Sequence, residues 1–330
     1  MSVRSSPSLE SPILATEHAE AVRRQVAEIL QTHQGSVLHL IGNTPVVKIC
    51  RLNPYENVTV YAKLEGYNPS GSLKDRIVLY MIADAIERGK LTPGATIVEA
   101  TSGNTGISVA MVGRTLGHRV LILMPDNVSE ERRRMIRAYG ARIRLTPGEL
   151  RTDGAIAAAR ELSERDGYVW IAQHFNEANS FAHYETTGRE ILNALGHVDA
   201  FVAPSGTTGT LMGVSTRLKE SHPETEVISV WPKDYIMGLR RPVGNKKPGI
   251  YHESWIDEII EIEDKEAKWA ARRIGRKEGL LVGPSAGAAF LGALRLAERY
   301  SESKSNEERT IVVLFPDGGD RYLSTNTFKW

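Results

Sequence analysis

Short apolar runs alternate with amphipathic segments from residue 36 to near the C-terminus. The apolar runs predict strands, at 58–64, 96–100, 120–124, 142–146, 168–172, 200–203, 227–230 and 310–315. Apolar positions at helical spacing predict helices at 75–88, 129–139, 152–165 and 286–299. This alternation favours an α/β fold with mainly parallel sheets. The run 120–124 is Val-Leu-Ile-Leu-Met, continuously apolar as a buried parallel strand should be.

The N-terminal segment differs from the rest of the chain. Residues 1–12 are rich in Ser and Pro, which predicts disorder. Thr16 is then predicted to cap a helix that ends near Gly35. This helix either docks on the body of the protein or on a second subunit, or it is a mere cap. Cys50, the single cysteine, follows residues with strand character, so we expect a buried side chain rather than a nucleophile.

Charge and composition give no support for nucleic acid or a membrane as a binding partner. The chain has 41 basic and 40 acidic residues, a net charge of +1 that gives no electrostatic reason to bind nucleic acid or an anionic membrane. No apolar run is long enough to span a bilayer, and the N-terminus lacks the apolar core of a secretory signal. We therefore expect a cytoplasmic protein with small-molecule partners and no metal site.

Four loops rich in Gly, Ser, Thr and Asn lie where strands give way to helices, which is where α/β proteins place their chemistry. They are 68–76, 101–106, 205–210 and 283–287. Lys74, in the first loop, falls at a predicted helix start. Burial and the helix dipole would lower its pKa there, as a Schiff-base amine requires. Taken alone, a solvated surface lysine is the more common case.

The other three loops suit anions and a ring nitrogen. Loops 101–106 and 205–210 present backbone N–H groups and hydroxyls at helix starts, which favours binding of a carboxylate or a phosphate. Neither continues into the Gly-Lys-Ser/Thr of a P-loop, so nucleotide phosphate binding is disfavoured. Ser285, in the fourth loop, either caps its helix or offers a neutral hydroxyl to a ring nitrogen.

Together these loops resemble the fold-type II family of pyridoxal 5'-phosphate (PLP) enzymes, and within it the B-type cysteine synthases (O-acetylserine sulfhydrylases). The resemblance extends from about residue 37 to residue 328. Besides the loops, it rests on Ile41-Gly42-Asn43-Thr44-Pro45, Met124-Pro125-Asp126-Asn127, His183-Tyr184-Glu185-Thr186-Thr187-Gly188 and Gly318-Gly319-Asp320-Arg321-Tyr322. The chain departs from the family pattern in its N-terminal extension and at Pro242, where an aromatic residue is common.

The resemblance implies two lobes, each with a mainly parallel twisted sheet flanked by helices, and an active site in the cleft between them. The large PLP-binding domain would comprise 36–77 and 179–330, and the small mobile domain 78–178. Residues 1–35 would form an extension, disordered and then helical. A homodimer is also implied.

The resemblance further assigns roles to individual residues. Lys74 would hold PLP as a Schiff base and act as the catalytic base. The remaining cofactor contacts would come from Asn104, Gly206, Thr207, Thr208, Gly209, Thr210 and Ser285. The substrate would be bound by Thr101, Ser102, Asn104, Thr105 and Gln173, with Arg240 and Arg241 meeting an anionic group such as thiosulfate or a phosphate ester.

The implied reaction is L-cysteine synthesis by β-replacement. Sulfide or thiosulfate would replace the leaving group of O-acetylserine or O-phosphoserine through an aminoacrylate intermediate. Another β-replacement synthase is the alternative within the fold, either similar to cystathionine β-synthase or using an amine to make diaminopropionate. From other classes, a catalytically silent binding module would keep the fold, whereas a nucleotide-dependent dehydrogenase would need a Gly-x-Gly-x-x-Gly turn that the chain lacks.

Overall fold

The structure, a computed structural model, describes residues 14–244, 247–303 and 307–329, so the disorder predicted for residues 1–12 lies outside the described part. The helices are α1 Thr16–Thr32, α2 Lys74–Glu87, α3 Asn104–Thr115, α4 Glu130–Ala138, α5 Arg151–Ser163, α6 Ala178–His183, α7 Arg189–Leu195, α8 Gly209–Ser221, α9 Asp264–Glu278 and α10 Pro284–Glu302. The strands are β1 Val46–Lys48, β2 Val58–Leu64, β3 Thr96–Ala100, β4 Arg119–Pro125, β5 Arg142–Thr146, β6 Tyr168–Trp170, β7 Ala200–Pro204, β8 Glu226–Pro232, β9 Glu258–Ile262 and β10 Arg309–Phe315.

Within the described residues the strands form two sheets. The larger has the order β1-β2-β10-β7-β8-β9 and the smaller the order β5-β4-β3-β6. Only β1 runs antiparallel to its neighbour, as an edge strand. All other pairs are parallel, with Ile311 of β10, for example, opposite Ala200 of β7. The prediction of an α/β fold with mainly parallel sheets is confirmed.

Helices cover both faces of each sheet, as buried parallel strands require. In the smaller sheet, Ile97 and Ile122 pack with residues of α2 and α3, whereas Val98 and Leu123 pack with α5 on the other face. In the larger sheet, α9 and α10 cover one face and α8 the other. The two sheets thus have separate apolar cores.

The N-terminal helix α1 docks on the body of its own chain. Val22 of α1 is fully buried in the same cluster as the α2 side chains. The His18 ring lies 2.6 Å from the Asp84 carboxylate, and Arg23 donates a hydrogen bond of 2.7 Å to Glu185. The sequence left open whether this helix docks on its own chain or on a second subunit, and the structure describes docking on its own chain. Thr16 is the first helical residue and not the cap, which is Ala15 and makes no side-chain capping bond.

One local prediction is wrong, and some elements were not predicted. Cys50 is exposed, because β1 ends at Lys48 and the Cys50 N–H bonds the Glu278 side chain at 3.2 Å instead of a strand. Strand β9 was not predicted, since its sequence Glu-Ile-Ile-Glu-Ile belongs to an edge strand with alternating burial. Helix α9 was also missed.

No helix in the described ranges is long and apolar enough to cross a membrane.

Candidate active site

A cavity brings together side chains that are far apart in the sequence. Its walls include most of the predicted cofactor residues, namely Lys74, Asn104, Gly206, Thr207, Thr208, Thr210 and Ser285. Gly209 is the next residue of the same loop, at the start of α8. Lys74, Asn104, Gly209 and Ser285 belong to the first turns of α2, α3, α8 and α10. Four helix N-termini thus converge on one cavity, which gives it a positive potential.

Lys74 is the first residue of α2. In the described part of the chain its amine makes no hydrogen bond and no ion pair with protein groups. Burial lowers the pKa of Lys74 to about 8, and the nearby Asp317 carboxylate opposes this shift. The neutral, nucleophilic form of the amine is therefore far more populated near neutral pH than it is for an ordinary lysine.

The loop before α8 has the geometry of an anion cradle. Thr208 is the N-cap residue and adopts the left-handed conformation, with φ 69°. Asn179 packs directly against the loop: its amide donates to the Thr207 hydroxyl at 3.1 Å. A Cβ added at Gly209 would meet the Asn179 Oδ1 at 2.0 Å. The loop is thereby held in a shape that leaves backbone N–H groups at a helix N-terminus for a ligand phosphate.

Asn104 is held by two residues that the sequence analysis did not assign. Its Nδ2 donates to Asp317 at 2.6 Å, and Arg321 donates to its Oδ1 at 2.8 Å. The Tyr322 hydroxyl also donates to Asp317, at 2.6 Å, and burial raises the pKa of this tyrosine. Asp317 and Tyr322 both line the cavity. A usable signal was present, because Asp317 closely follows the carboxyl end of β10, where functional side chains gather.

Ser285 lies in the first turn of α10 and is only 4% exposed. Among the residues that the structure describes, no protein group is hydrogen-bonded to its hydroxyl. The capping role considered from the sequence is not seen, since the N-cap is Gly283 and no side-chain capping bond is present. A neutral hydroxyl in a cavity wall, free of protein partners, is available to a bound ligand.

The 101–105 loop lies beside the cavity and is tied to Gln173. The Thr105 hydroxyl donates to Gln173 Oε1 at 2.6 Å, and Gln173 Nε2 donates to the carbonyl of residue 100 at 3.2 Å. Thr101 accepts a hydrogen bond from the Gly103 N–H, whereas Ser102 is exposed. Burial raises the pKa of the neighbouring Glu99 to about 8, so this carboxyl is largely protonated at neutral pH. Of the predicted substrate residues, Asn104 alone belongs to the cavity wall itself.

Arg240 and Arg241, the two arginines predicted to bind an anion, have different neighbours in the structure. Burial lowers the pKa of Arg240, whose guanidinium lies 3.9 Å from the Asp153 carboxylate. Arg241 instead pairs with Glu261, and its guanidinium lies 5.9 Å from the centroid of the Trp231 ring. Neither arginine lines the cavity. Of the pair, only Arg240 has a pKa lowered by burial. Burial also lowers the pKa of His174, and the positive charges of Arg240 and Lys74 add to that shift.

Comparison with known proteins decides the family. The family model described as pyridoxal-phosphate dependent enzyme matches residues 37–317. The chain belongs to this family. It is therefore an enzyme whose cofactor is PLP.

Individual relatives match over nearly their whole length. A cysteine synthase of Aquifex aeolicus is 44% identical, over 89% of this chain and 92% of the relative. Cysteine synthase B of Escherichia coli is 42% identical, over 87% and 94%. The crystal structure of a cysteine synthase from Entamoeba histolytica has a TM-score of 0.82 at 35% identity, covering 90% of this chain and 91% of that one. These likenesses establish the fold as that of the fold-type II PLP enzymes.

The residues present fit the cofactor. The cavity offers an unpaired lysine amine, a glycine-containing anion cradle and a neutral hydroxyl, which match an aldehyde, a phosphate and a ring nitrogen. The Gly209 position has no room for a Cβ, so this approach of backbone and Asn179 is built into the sequence. The fit combines residues at the starts of three helices, α2, α8 and α10, that are far apart in the sequence.

Proposed function

We propose that the enzyme replaces the β-substituent of an O-activated serine with a sulfur nucleophile, making L-cysteine from sulfide and S-sulfocysteine from thiosulfate. The observation that carries the proposal is the neutral Ser285 hydroxyl in the wall of the cavity that contains Lys74 and the 206–210 loop. A serine cannot keep a pyridine nitrogen protonated as an aspartate does, and the weaker electron sink favours β-replacement over transamination. The relatives named cysteine synthase support the same reaction.

The proposal assigns the cofactor contacts to this chain's residues. Lys74 would carry PLP, the 206–210 loop would hold its phosphate, Asn104 would bond the ring hydroxyl and Ser285 would face the ring nitrogen. When bound, PLP supplies an electron sink for the charge that develops at the substrate α-carbon. Asp317 and Arg321 fix the Asn104 amide from both sides, which sets its donor direction without a rearrangement.

Binding and proton transfer follow from the same groups. The hydroxyls and backbone N–H groups of residues 101–105 at the start of α3 hold the substrate carboxylate, with Gln173 fixing the Thr105 hydroxyl. The Lys74 amine, with a pKa of about 8, removes the α-proton as a general base at neutral pH. The resulting ammonium is stabilised by the Asp317 carboxylate. The positive charge of Arg240 would attract an anionic sulfur donor, such as thiosulfate, or an anionic leaving group, such as phosphate.

The organisation of the chain is part of the proposal. All strands of the six-stranded sheet fall in 36–77 and 179–330, and all strands of the four-stranded sheet fall in 78–178, which supports these ranges as the large and small domains. The cytoplasm is proposed as the location and a homodimer as the assembly. Light scattering on the purified protein tests the latter, since a monomeric mass would contradict it.

A product assay with defined substrate pairs tests the function. The purified holoenzyme is given O-acetylserine or O-phosphoserine with sulfide, thiosulfate, homocysteine or an amine, and the products are separated by chromatography. We expect L-cysteine from sulfide, or S-sulfocysteine from thiosulfate, with at least one activated serine. No cysteine from sulfide and no S-sulfocysteine from thiosulfate, with an amino-acid product from homocysteine or the amine, would replace the proposal by the alternative β-replacement reaction.

A variant of Ser285 tests the decisive residue. Ser285→Asp places a carboxylate where the neutral hydroxyl stands, and we expect cysteine formation to fall by orders of magnitude while the cofactor stays bound. Ser285→Thr keeps a neutral hydroxyl and is the matched control. Equal activity of the Asp and Thr variants would show that a neutral partner at this position has no part in the reaction.

A further inference from the structure

Two histidines and a glutamate form a cluster outside the cavity. His197 lies in the loop before β7, His222 follows the last residue of α8, and Glu224 lies in the loop before β8. One donor atom from each of the three side chains lies within 4.8 Å of the other two. The two imidazole rings meet edge to face, with their centroids 4.7 Å apart. Imidazole and carboxylate together are a donor set that proteins use for zinc and related divalent cations.

Both histidines turn the same ring nitrogen toward Glu224. The Nδ1 of His222 lies 3.7 Å from Glu224 Oε1, and the Nδ1 of His197 lies 3.9 Å from the same oxygen. Zinc bonds of about 2.0–2.2 Å put tetrahedral ligand atoms roughly 3.3–3.6 Å apart. The two histidine–glutamate distances exceed this by a few tenths of an ångström, and the pair that is furthest apart exceeds it by no more than about 1.5 Å. The three side chains are 31–64% exposed, so they can close these gaps by turning about their own bonds.

The other ring nitrogen of each histidine already faces an acceptor. His222 Nε2 lies 3.1 Å from the carbonyl oxygen of Gly196. Because a carbonyl only accepts, this nitrogen carries the proton, and the neutral ring keeps its Nδ1 lone pair for a metal. His197 Nε2 lies 3.4 Å from the Asp199 carboxylate, which Arg309 fixes in turn with a hydrogen bond of 2.8 Å. Metal-binding histidines are typically oriented by carbonyl and carboxylate partners of this kind.

The cluster lies at the opposite end of α8 from the 206–210 loop. That loop follows the carboxyl end of β7 and leads into α8 at Gly209, whereas His222 is the C-cap residue of the same helix. The 13 residues of α8 span about 20 Å at the usual rise of an α-helix. A cation bound at His222 would lie at the negative end of the helix dipole, which favours it.

We propose that His197, His222 and Glu224 bind one divalent cation of the zinc class, through the two Nδ1 atoms and a carboxylate oxygen, with water completing the coordination. The cation ties the loop before β7 to the loop before β8, two strands that pair in parallel with Ala200 opposite Glu226. Since it binds the folded chain, it stabilises the fold by mass action. The inference does not depend on the proposed function, because none of the three ligands lines the cavity.

Zinc titration of the holoenzyme without an affinity tag tests the site. Zn²⁺ is titrated in competition with a chelating dye, in a buffer free of phosphate and thiols, into the wild type and into His197→Gln, His222→Gln and Glu224→Gln. We expect one Zn²⁺ per chain in the wild type and an affinity lower by at least about tenfold in each variant, because a metal ligand is lost. His252→Gln and Cys50→Ser are the matched controls, since each replaces an exposed zinc-binding group outside the cluster, and both should keep the wild-type affinity.

The variants also show whether the cluster merely pairs protonated histidines with a carboxylate. A wild type that binds no zinc, or wild-type affinity in all three cluster variants, would overturn the proposal. Thermal melts give a second readout: Zn²⁺ should raise the melting temperature of the wild type and leave that of Glu224→Gln almost unchanged. Glu224 is the most exposed of the three ligands, so this variant carries the test if a histidine variant does not fold. An equal rise in the wild type and in Glu224→Gln would count against the site.

X-ray absorption at the zinc edge identifies the donor atoms. The protein loaded with one Zn²⁺ per chain should show nitrogen and oxygen neighbours at about 2.0–2.2 Å, with the scattering pattern of imidazole. A sulfur neighbour at about 2.3 Å would place the metal at Cys50 and refute the assignment. Mg²⁺ and Ca²⁺ prefer oxygen ligands, so neither should displace the zinc at equal concentration. Displacement by either ion would contradict a site built on two imidazoles.

Discussion

Arg76, two residues after Lys74, is the centre of a buried ion network whose removal should destabilise the protein strongly. Its side chain and that of Glu65 are both fully buried. Arg76 donates to Glu65 at 2.7 and 2.9 Å, to Glu190 at 2.6 and 2.8 Å, and to the Thr44 hydroxyl at 3.0 Å. Arg76→Met would leave two carboxylates facing one remaining cation, Lys63, which is 2.6 Å from Glu190.

The magnitude follows from burial. Removing one partner of a buried ion pair costs about 3–5 kcal/mol, because the other charge is left without compensation. With the entropy of unfolding per residue typical of globular proteins, this loss lowers the melting temperature by roughly 4–7 °C. Arg88→Met is the matched control on the same helix: Arg88 pairs with Asp84 but is 44% exposed, so we expect a loss of less than about 1 kcal/mol.

The pH dependence of the Arg76→Met defect gives a second readout. Salt bridges and hydrogen bonds from Arg76 hold the pKa of Glu65 and of Glu190 below the usual range despite burial. Carboxylates with a depressed pKa stabilise the fold above the pKa of the unfolded chain, and this stability is lost as the pH falls through the folded value. The difference between wild type and variant should therefore be full at neutral pH and shrink below about pH 4.5. Thermal melts monitored by circular dichroism measure it, and a defect no larger than that of Arg88→Met would refute the reasoning.

Three further outcomes concern the site. Gly209→Ala should lower the affinity for PLP by at least about tenfold, because the added Cβ would meet Asn179 at 2.0 Å. Gly206→Ala should have a smaller effect, because the nearest atom to its added Cβ is 3.4 Å away. Titration of the two apoenzymes with PLP compares them, and equal affinities would count against the proposed phosphate loop. Thr105→Val should raise the KM for the amino-acid substrate by roughly tenfold with the cofactor spectrum retained, and an unchanged KM would remove this hydroxyl from the clamp. Reconstitution of the apoenzyme with PLP should accelerate with pH around a midpoint near 8, set by Lys74; a midpoint above 10 would contradict its burial.

The architecture could be predicted closely, because parallel strands are buried on both faces and therefore stand out as apolar runs. Strands β2, β3 and β5 begin and end where the pattern placed them. Edge strand β9 was missed because a half-exposed edge strand with glutamates lacks such a run. Helix α9, which follows it, was missed as well. Cys50 was wrongly predicted to be buried, because apolar neighbours do not show at which residue a strand ends. Strand β1 ends at Lys48, and Cys50 is exposed.

The site was predictable only in part. Loops that follow strands could be recognised by their glycines and hydroxyls, and the structure gathers Lys74, Asn104 and Ser285 into one cavity. Contacts between distant segments left no local signal. The Asp317 carboxylate that holds Asn104 lies 213 positions away in the chain.

Peptide mapping after borohydride reduction tests the central claim, the covalent link between PLP and Lys74, most directly. Reduction fixes the imine as a stable secondary amine, and mass spectrometry of the digested holoenzyme then locates the phosphopyridoxyl group. We expect the label on the peptide that contains Lys74. In Lys74→Ala we expect no label and no near-visible absorbance. A label on Lys63 or another lysine, or a wild-type protein that takes up no PLP, would contradict it.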